Sequence, residues 1–125
     1  MRQVWSAPVR FAECDQGGVV FNAHYLAWAH EAVESWWAAL GLPFAETGLD
    51  QRIKAAALEW RSSARYGDTV TVDAELDRMG STSFTVALTV RVADRVCCVV
   101  RTTYVAVADG VPVPWPEQVR TLLQS

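Results

Sequence analysis

The sequence predicts an α+β domain in which an antiparallel sheet packs against one long, mostly buried helix. Two observations carry that reading. Residues 22–40 hold the longest helical pattern in the chain, and it is apolar round most of its circumference. Four strand patterns then follow in succession between Ile53 and Val107, joined by short turns. Short connections make strands antiparallel neighbours, and one helix laid on such a sheet lets both bury their apolar faces. At 125 residues, with 51% hydrophobic and 20% charged side chains, residues 1–125 have the size and composition of a single globular domain.

From Gln3 to Phe11 the residues Trp5, Ala7, Val9 and Phe11 alternate with smaller or more polar ones, which predicts a strand with one buried face. Pro8 has no N–H to give to a ladder, so this strand belongs at an edge or bends there. Gly17 and Gly18 break regular structure. From Asn22 to Leu40 the chain reads as helix, with Asn22 as the N-cap through its side-chain oxygen and Gly41 with Pro43 as the stop. Within it only His24, Glu31 and Ser35 share a narrow polar stripe, flanked by Glu34. After a connector at Phe44 to Gln51 come strands at Ile53–Arg61, Thr69–Leu76, Ser83–Val92 and Val96–Val107, with turns at Gly67-Asp68, Met79-Gly80-Ser81 and Ala93-Asp94. Val70, Val72, Ala74 and Leu76 alternate with Thr71, Asp73 and Glu75. The last strand alternates less, as one covered on both faces would. A proline-spaced segment from Val111 leads into a short helix at Glu117–Leu123.

A net charge of −3 and the lack of any basic run argue against nucleic acid or anionic lipid as a partner. The first residues lack the apolar run of a signal peptide, and no stretch approaches the roughly 18 apolar residues of a membrane span, so a cytoplasmic protein is expected. Cys14, Cys97 and Cys98 form neither a CxxC pair nor an even disulfide framework and read as free thiols. Six tryptophans are a heavy load for so small a chain, with Trp28, Trp36 and Trp37 all on the helix. Burying all of them calls for a second subunit.

The stretch before and into the helix carries the candidate chemistry. Its spacing is Asp15-x-x-Gly18-x-Val20-x-x-x-x-Tyr25, and the helix ends in Gly41-Leu42-Pro43-Phe44. Together with Ala64-Arg65-Tyr66-Gly67-Asp68 and the strand order, this pattern resembles the hotdog-fold acyl-CoA thioesterases of the 4-hydroxybenzoyl-CoA thioesterase type, over nearly the whole chain. The resemblance implies an antiparallel sheet wrapped around one central helix, hydrolysis of acyl thioesters, no cofactor or metal, and assembly into homodimers or homotetramers with sites at subunit boundaries.

The residues fit that chemistry on their own terms. Carboxylates titrate near pH 4 and are ionised at neutrality, so Asp15 can attack a carbonyl or deprotonate water. A thiolate leaves readily, so no strong general acid is needed. The developing oxyanion needs a donor, and free N–H groups at the start of a helix supply one. The family uses a main-chain amide seven residues after the carboxylate, which the resemblance maps onto Asn22. Gly18 lets the loop turn back. An aspartate before glycines is also an ordinary turn former.

The other candidates are weaker. His24 and His30 have no ligand-spaced neighbours for a metal, and relatives place an acidic residue where His30 stands and an arginine where Val33 stands. Cys14, as a strand-like neighbour of Asp15, points away from it and has no histidine near in sequence. Tyr25 matches the pattern and reads either as a substrate contact or as core packing. Glu59 reads as a solvated strand end or a pocket wall. Coenzyme A phosphates call for cations. The turn that holds them in relatives carries Ser81 and Thr82 here, which leaves Arg61, Arg65 and Arg78 as substitutes and an acyl carrier protein as an alternative donor. A dehydratase on the same fold and a non-catalytic acyl-thioester binding module are the competing functions.

Overall fold

The computed structural model describes residues 1–41 and 49–125. Its elements in chain order are β1 (Arg2–Pro8), a 3₁₀ turn (Phe11–Glu13), α1 (Ala23–Leu40), β2 (Asp50–Trp60), β3 (Thr69–Met79), β4 (Ser83–Val92), β5 (Arg95–Ala108), β6 (Val111–Pro112) and α2 (Glu117–Gln124). The strands form one antiparallel sheet in the order β1-β3-β4-β5-β2, with the short β6 added to the end of β5. Residues 42–48, which hold most of the expected connector and the Leu42-Pro43-Phe44 part of the motif, lie outside the described residues. Asp50 and Gln51, assigned to that connector, already belong to β2.

The helix lies on the inner face of the sheet because its apolar residues leave it no other stable place. Tyr25, Trp28, Ala29, Ala32, Val33, Trp36 and Trp37 are buried. They meet Val70, Val72 and Ala74 of β3, Phe84, Val86, Leu88 and Val90 of β4, and Cys98, Val100, Tyr104 and Ala106 of β5 in one core cluster. Each large apolar side chain buried this way contributes about 1.5–3 kcal/mol. Gly41 ends the helix in the left-handed region, at φ 72°, with its N–H returned to the carbonyls of Trp37 and Ala38. Side chains with a Cβ rarely adopt that conformation, whereas glycine does so freely. At the opposite terminus α2 closes the core with Val119 and Leu123. No described helix is long and apolar enough to cross a membrane.

Two expectations are corrected and a third is narrowed. The first strand stops at Pro8, and Phe11 sits in the 3₁₀ turn with 75% of its surface exposed. Pro8 cannot donate to the ladder, and the Arg10 N–H is taken by the Glu13 carboxylate at 2.7 Å, which folds the chain away from the sheet. Most of the tryptophans are covered within one chain, and burying all six still leaves Trp60 for another surface to cover. Trp28, Trp36, Trp37 and Trp115 are at most 5% exposed within one chain, and of the six only Trp60, on β2, is largely open, at 48%. Asn22 adopts helical torsions, φ −54° and ψ −35°, and its side chain caps nothing. The first N–H groups inside the turn go instead to main-chain carbonyls, His24 to Phe21 at 3.0 Å and Tyr25 to Asn22 at 3.3 Å.

Candidate active site

The chain between β1 and α1 folds into a small antiparallel loop that holds Asp15 at its turn and leads directly into the helix start. Cys14 bridges Val20, the Asp15 N–H donates to the Val19 carbonyl at 2.9 Å, and the Phe21 N–H donates to the Glu13 carbonyl at 3.0 Å. Gly18, at φ +75°, makes the reversal, and its N–H closes the turn on the Asp15 carbonyl at 3.0 Å. The loop is stitched on its other side to residues 64–66. The Val20 N–H reaches the Ala64 carbonyl at 2.9 Å, Val19 bridges Arg65, and the Tyr66 N–H reaches the Gly18 carbonyl at 3.3 Å.

Asp15 is exposed, and its Oδ1 accepts the Gly17 N–H at 2.8 Å. Among the described residues nothing donates to its Oδ2, which leaves that oxygen available to a ligand. Asn22 is an exposed residue at the start of α1. Neither its N–H nor that of Ala23 donates to another described group, and no acidic side chain occupies the first turn. An uncapped helix start of this kind presents free donors and the positive end of the helix dipole. The loop therefore presents a carboxylate oxygen and the helix start that follows it a set of unused amides, the two kinds of group that acyl transfer requires.

The remaining candidates separate into those near the loop and those away from it. Arg65 is exposed next to Val19, with its guanidinium in no ion pair among the described residues. Tyr25 is 1% exposed, and its hydroxyl accepts the Ala64 N–H at 2.9 Å, so it anchors the segment on which the loop rests. Burial pushes its pKa up, against the opposing pull of that hydrogen bond. Glu59 and Arg61 pair with each other at 2.9 Å on the exposed end of β2. Arg78 lies at the opposite end of the sheet, where it and Lys54 line a cavity of about 310 Å³ with Thr85 and Thr103. Bulges in β2 between Ile53 and Ala55 and in β3 between Leu76 and Arg78 interrupt the two ladders at this cavity. Neither cation forms an ion pair among the described residues. Lys54 gave no sequence signal, because a bulge is invisible in the pattern.

His30 is half-exposed and has the partner that burial would demand. Its ring stacks on Tyr104 at 6.2 Å between centroids, with Nδ1 3.3 Å from the hydroxyl and Nε2 3.9 Å from Glu34. Cys14 lies against the Arg10 carbonyl at 3.7 Å. One residue escaped the sequence reading altogether: Glu13 is 4% exposed, and its carboxylate accepts the Trp28 indole N–H at 2.6 Å. The spacing from Arg10 to Glu13, that of a capping box, and an indole N–H that must find an acceptor when buried were the available signals.

The fold is shared with solved structures. A 1,4-dihydroxy-2-naphthoyl-CoA thioesterase from Synechocystis superposes with a TM-score of 0.88 at 22% identity, over 97% of this chain and 94% of that one. A gentisyl-coenzyme A thioesterase gives 0.87 at 22% identity, over 97% and 98%. A thioesterase from Thermus thermophilus, complexed with coenzyme A and zinc, gives 0.87 at 22% identity, over 96% and 90%. A search of curated protein sequences finds no match. The sequence profile of the thioesterase-like superfamily matches residues 9–123, nearly the whole chain, including the loop, the helix and all four long strands after it. The chain belongs to the thioesterase-like superfamily, and it is a hotdog-fold thioesterase.

Proposed function

We propose that residues 1–125 form one catalytic domain that hydrolyses acyl-CoA thioesters at the Asp15 loop. The observation that carries this reading is the pairing of a carboxylate with an unengaged Oδ2 and an uncapped, exposed helix start at Asn22. The thioester oxygen accepts the Asn22 N–H, and the helix dipole stabilises the charge that develops there. Asp15 either adds to the carbonyl carbon, forming an anhydride that water then opens, or takes a proton from water as it adds. In both routes the C–S bond breaks, the thiol leaves as thiolate, and a carboxylic acid remains. Two solved neighbours named for CoA esters and a third complexed with coenzyme A support CoA as the thiol.

The same reading includes a second copy of the chain. β2 is an open edge of eleven residues, and on its core-facing side Ile53 and Trp60 are 43% and 48% exposed. Unpaired edges and uncovered apolar faces invite pairing. Antiparallel β2–β2 pairing of two copies covers both features. It also sets the Asp50 end of one strand beside the Trp60 end of the other, which turns the end of the sheet that carries Arg78 toward the partner's Asp15 loop. Lys54 and Arg78, with Arg65, are the groups to meet the coenzyme's phosphates.

The test is thiol release from short, long and aromatic acyl-CoAs by wild type and Asp15→Asn, with light scattering on both. Turnover that falls by orders of magnitude in a folded, dimeric Asp15→Asn supports the reading. Equal turnover by the two proteins, or no turnover of any CoA ester by wild type, removes it and leaves carrier-protein donors or a binding module.

A further inference from the structure

Glu13 is the only buried acidic side chain among the described residues, and nothing in the proposed chemistry uses it. Its bonds reach three separate parts of the molecule. Oε1 accepts the Arg10 N–H at 2.7 Å, at the end of β1. Oε2 accepts the Trp28 indole N–H at 2.6 Å, in the second turn of α1, and lies 3.5 Å from the exposed Arg10 guanidinium. The Glu13 carbonyl accepts the Phe21 N–H at 3.0 Å. Asp15 follows two residues after Glu13, and Asn22 follows Phe21 directly.

Packing does not account for this arrangement. A cavity of about 280 Å³ adjoins Glu13 and Trp28, bounded also by Trp5, Arg10 and Glu31, so the side chain has room to leave its place. Burial raises the Glu13 pKa, and the hydrogen bonds from the Arg10 N–H, the Trp28 indole and the Arg10 guanidinium outweigh it, leaving the net value lowered. Hydrogen bonds to a buried ionised carboxylate are short and directional. They hold the loop against the helix where close packing does not.

We infer that Glu13 is a positioning residue for the reaction: through Trp28 and Phe21 it sets where the Asp15 carboxylate stands relative to the Asn22 amide. The inference rests on the Asp15 reading. Glutamine at this position keeps one acceptor for two donors, so either the Arg10 N–H or the Trp28 indole loses its partner. Displacements of about 1 Å at a reacting group cost on the order of 100-fold in rate.

The experiment compares kcat and KM on the best acyl-CoA for wild type, Asp15→Asn, Glu13→Gln, Trp28→Phe and the Glu13→Gln/Trp28→Phe double variant. Melting temperatures and amide hydrogen exchange of Phe21 are measured alongside. Glu13→Gln is expected to lower kcat about 10- to 100-fold with KM within about threefold, and to speed exchange at Phe21 but not in β4. Because both single changes act on the contacts of the one Glu13 carboxylate, their effects should couple, and the double variant should lose clearly less than the product of the two single losses. Folded single variants with wild-type kcat, or kcat losses that multiply, overturn the inference. A lowered melting temperature with kcat unchanged overturns it too, since that is what a purely structural role would give. If Glu13→Gln does not fold, Trp28→Phe, which leaves the Arg10 bonds in place, decides by the same criterion. An active wild type, an inactive Asp15→Asn and a full-speed Glu13→Gln remove this inference alone, whereas an inactive wild type removes the Asp15 reading and this one with it.

Discussion

Replacing Tyr25 with phenylalanine removes one oxygen atom and tests how the loop is supported. The ring stays packed edge-on against Trp28, at 5.2 Å between centroids, so no large cavity forms. What disappears is the acceptor for the Ala64 N–H, 2.9 Å away, where Tyr25 is 1% and Ala64 0% exposed. A buried donor left without a partner costs about 1–3 kcal/mol. For a domain of this size each kcal/mol is roughly 3–6 °C in Tm, so a loss near 2 kcal/mol lowers Tm by roughly 6–12 °C. The assay is urea and thermal unfolding at matched protomer concentration, since an associating chain has a concentration-dependent Tm. Ala64 and Tyr66 are bonded to Val20 and Gly18, so kcat should fall with stability. A Tyr25→Phe protein that melts within about 1 °C of wild type would refute the reasoning. Unchanged stability with a raised KM would return the hydroxyl to the substrate side.

Other outcomes follow from the same geometry. Gly18→Ala meets no atom within 4 Å of its new Cβ, so its cost is the φ of +75° alone, about 1–2 kcal/mol, and Gly18→Asn should cost less; equal urea midpoints for all three proteins would contradict this. In the native protein only Cys14, which is partly exposed, should react rapidly with a disulfide reagent. Cys97 and Cys98 are fully buried, and burial pushes Cys98 up to about 11. Denatured protein should titrate all three thiols, and fast native labelling of more than one would contradict the burial. The lowered Glu13 pKa means that its stabilisation is fully present above the ordinary value of 4.5 and is lost as pH falls through the lower folded value. The stability gap between wild type and Glu13→Gln should therefore shrink below about pH 4.5, and a gap constant with pH would contradict the charge.

The parts of this fold that could be read from the sequence are those where one face is buried over many residues. Val70, Val72 and Ala74 alternate because a strand's side chains alternate, and Trp28, Ala32 and Trp36 recur because a helix turns. Gly41 at φ 72° and Gly18 at φ +75° stand where the chain demands conformations that few other residues adopt. Local competition was harder to read. Phe11 continues the alternation of β1, yet the Arg10 to Glu13 hydrogen bond turns the chain one residue earlier. Asn22 is a good capping residue by type, but helical torsions carry its side chain away from the first turn. Lys54 reaches the Arg78 cavity through a bulge, which depends on pairing between strands distant in sequence. Glu13 is hard to read from the sequence because its partner, Trp28, lies fifteen residues away, and only the folded loop brings them together.

The central claim is that a main-chain N–H at residue 22, and not the asparagine side chain, carries the oxyanion. Asn22→Ala and Asn22→Pro separate the two, since the observed φ of −54° lies within the range proline prefers and the first turn of a helix tolerates it. On the best acyl-CoA, Asn22→Ala should keep kcat within a few-fold of wild type. Asn22→Pro, folded and associated as wild type, should lose about 100- to 1,000-fold in kcat, the loss typical of a missing oxyanion donor. An Asn22→Pro protein as active as Asn22→Ala, or an Asn22→Ala protein as impaired as Asn22→Pro, would contradict the account.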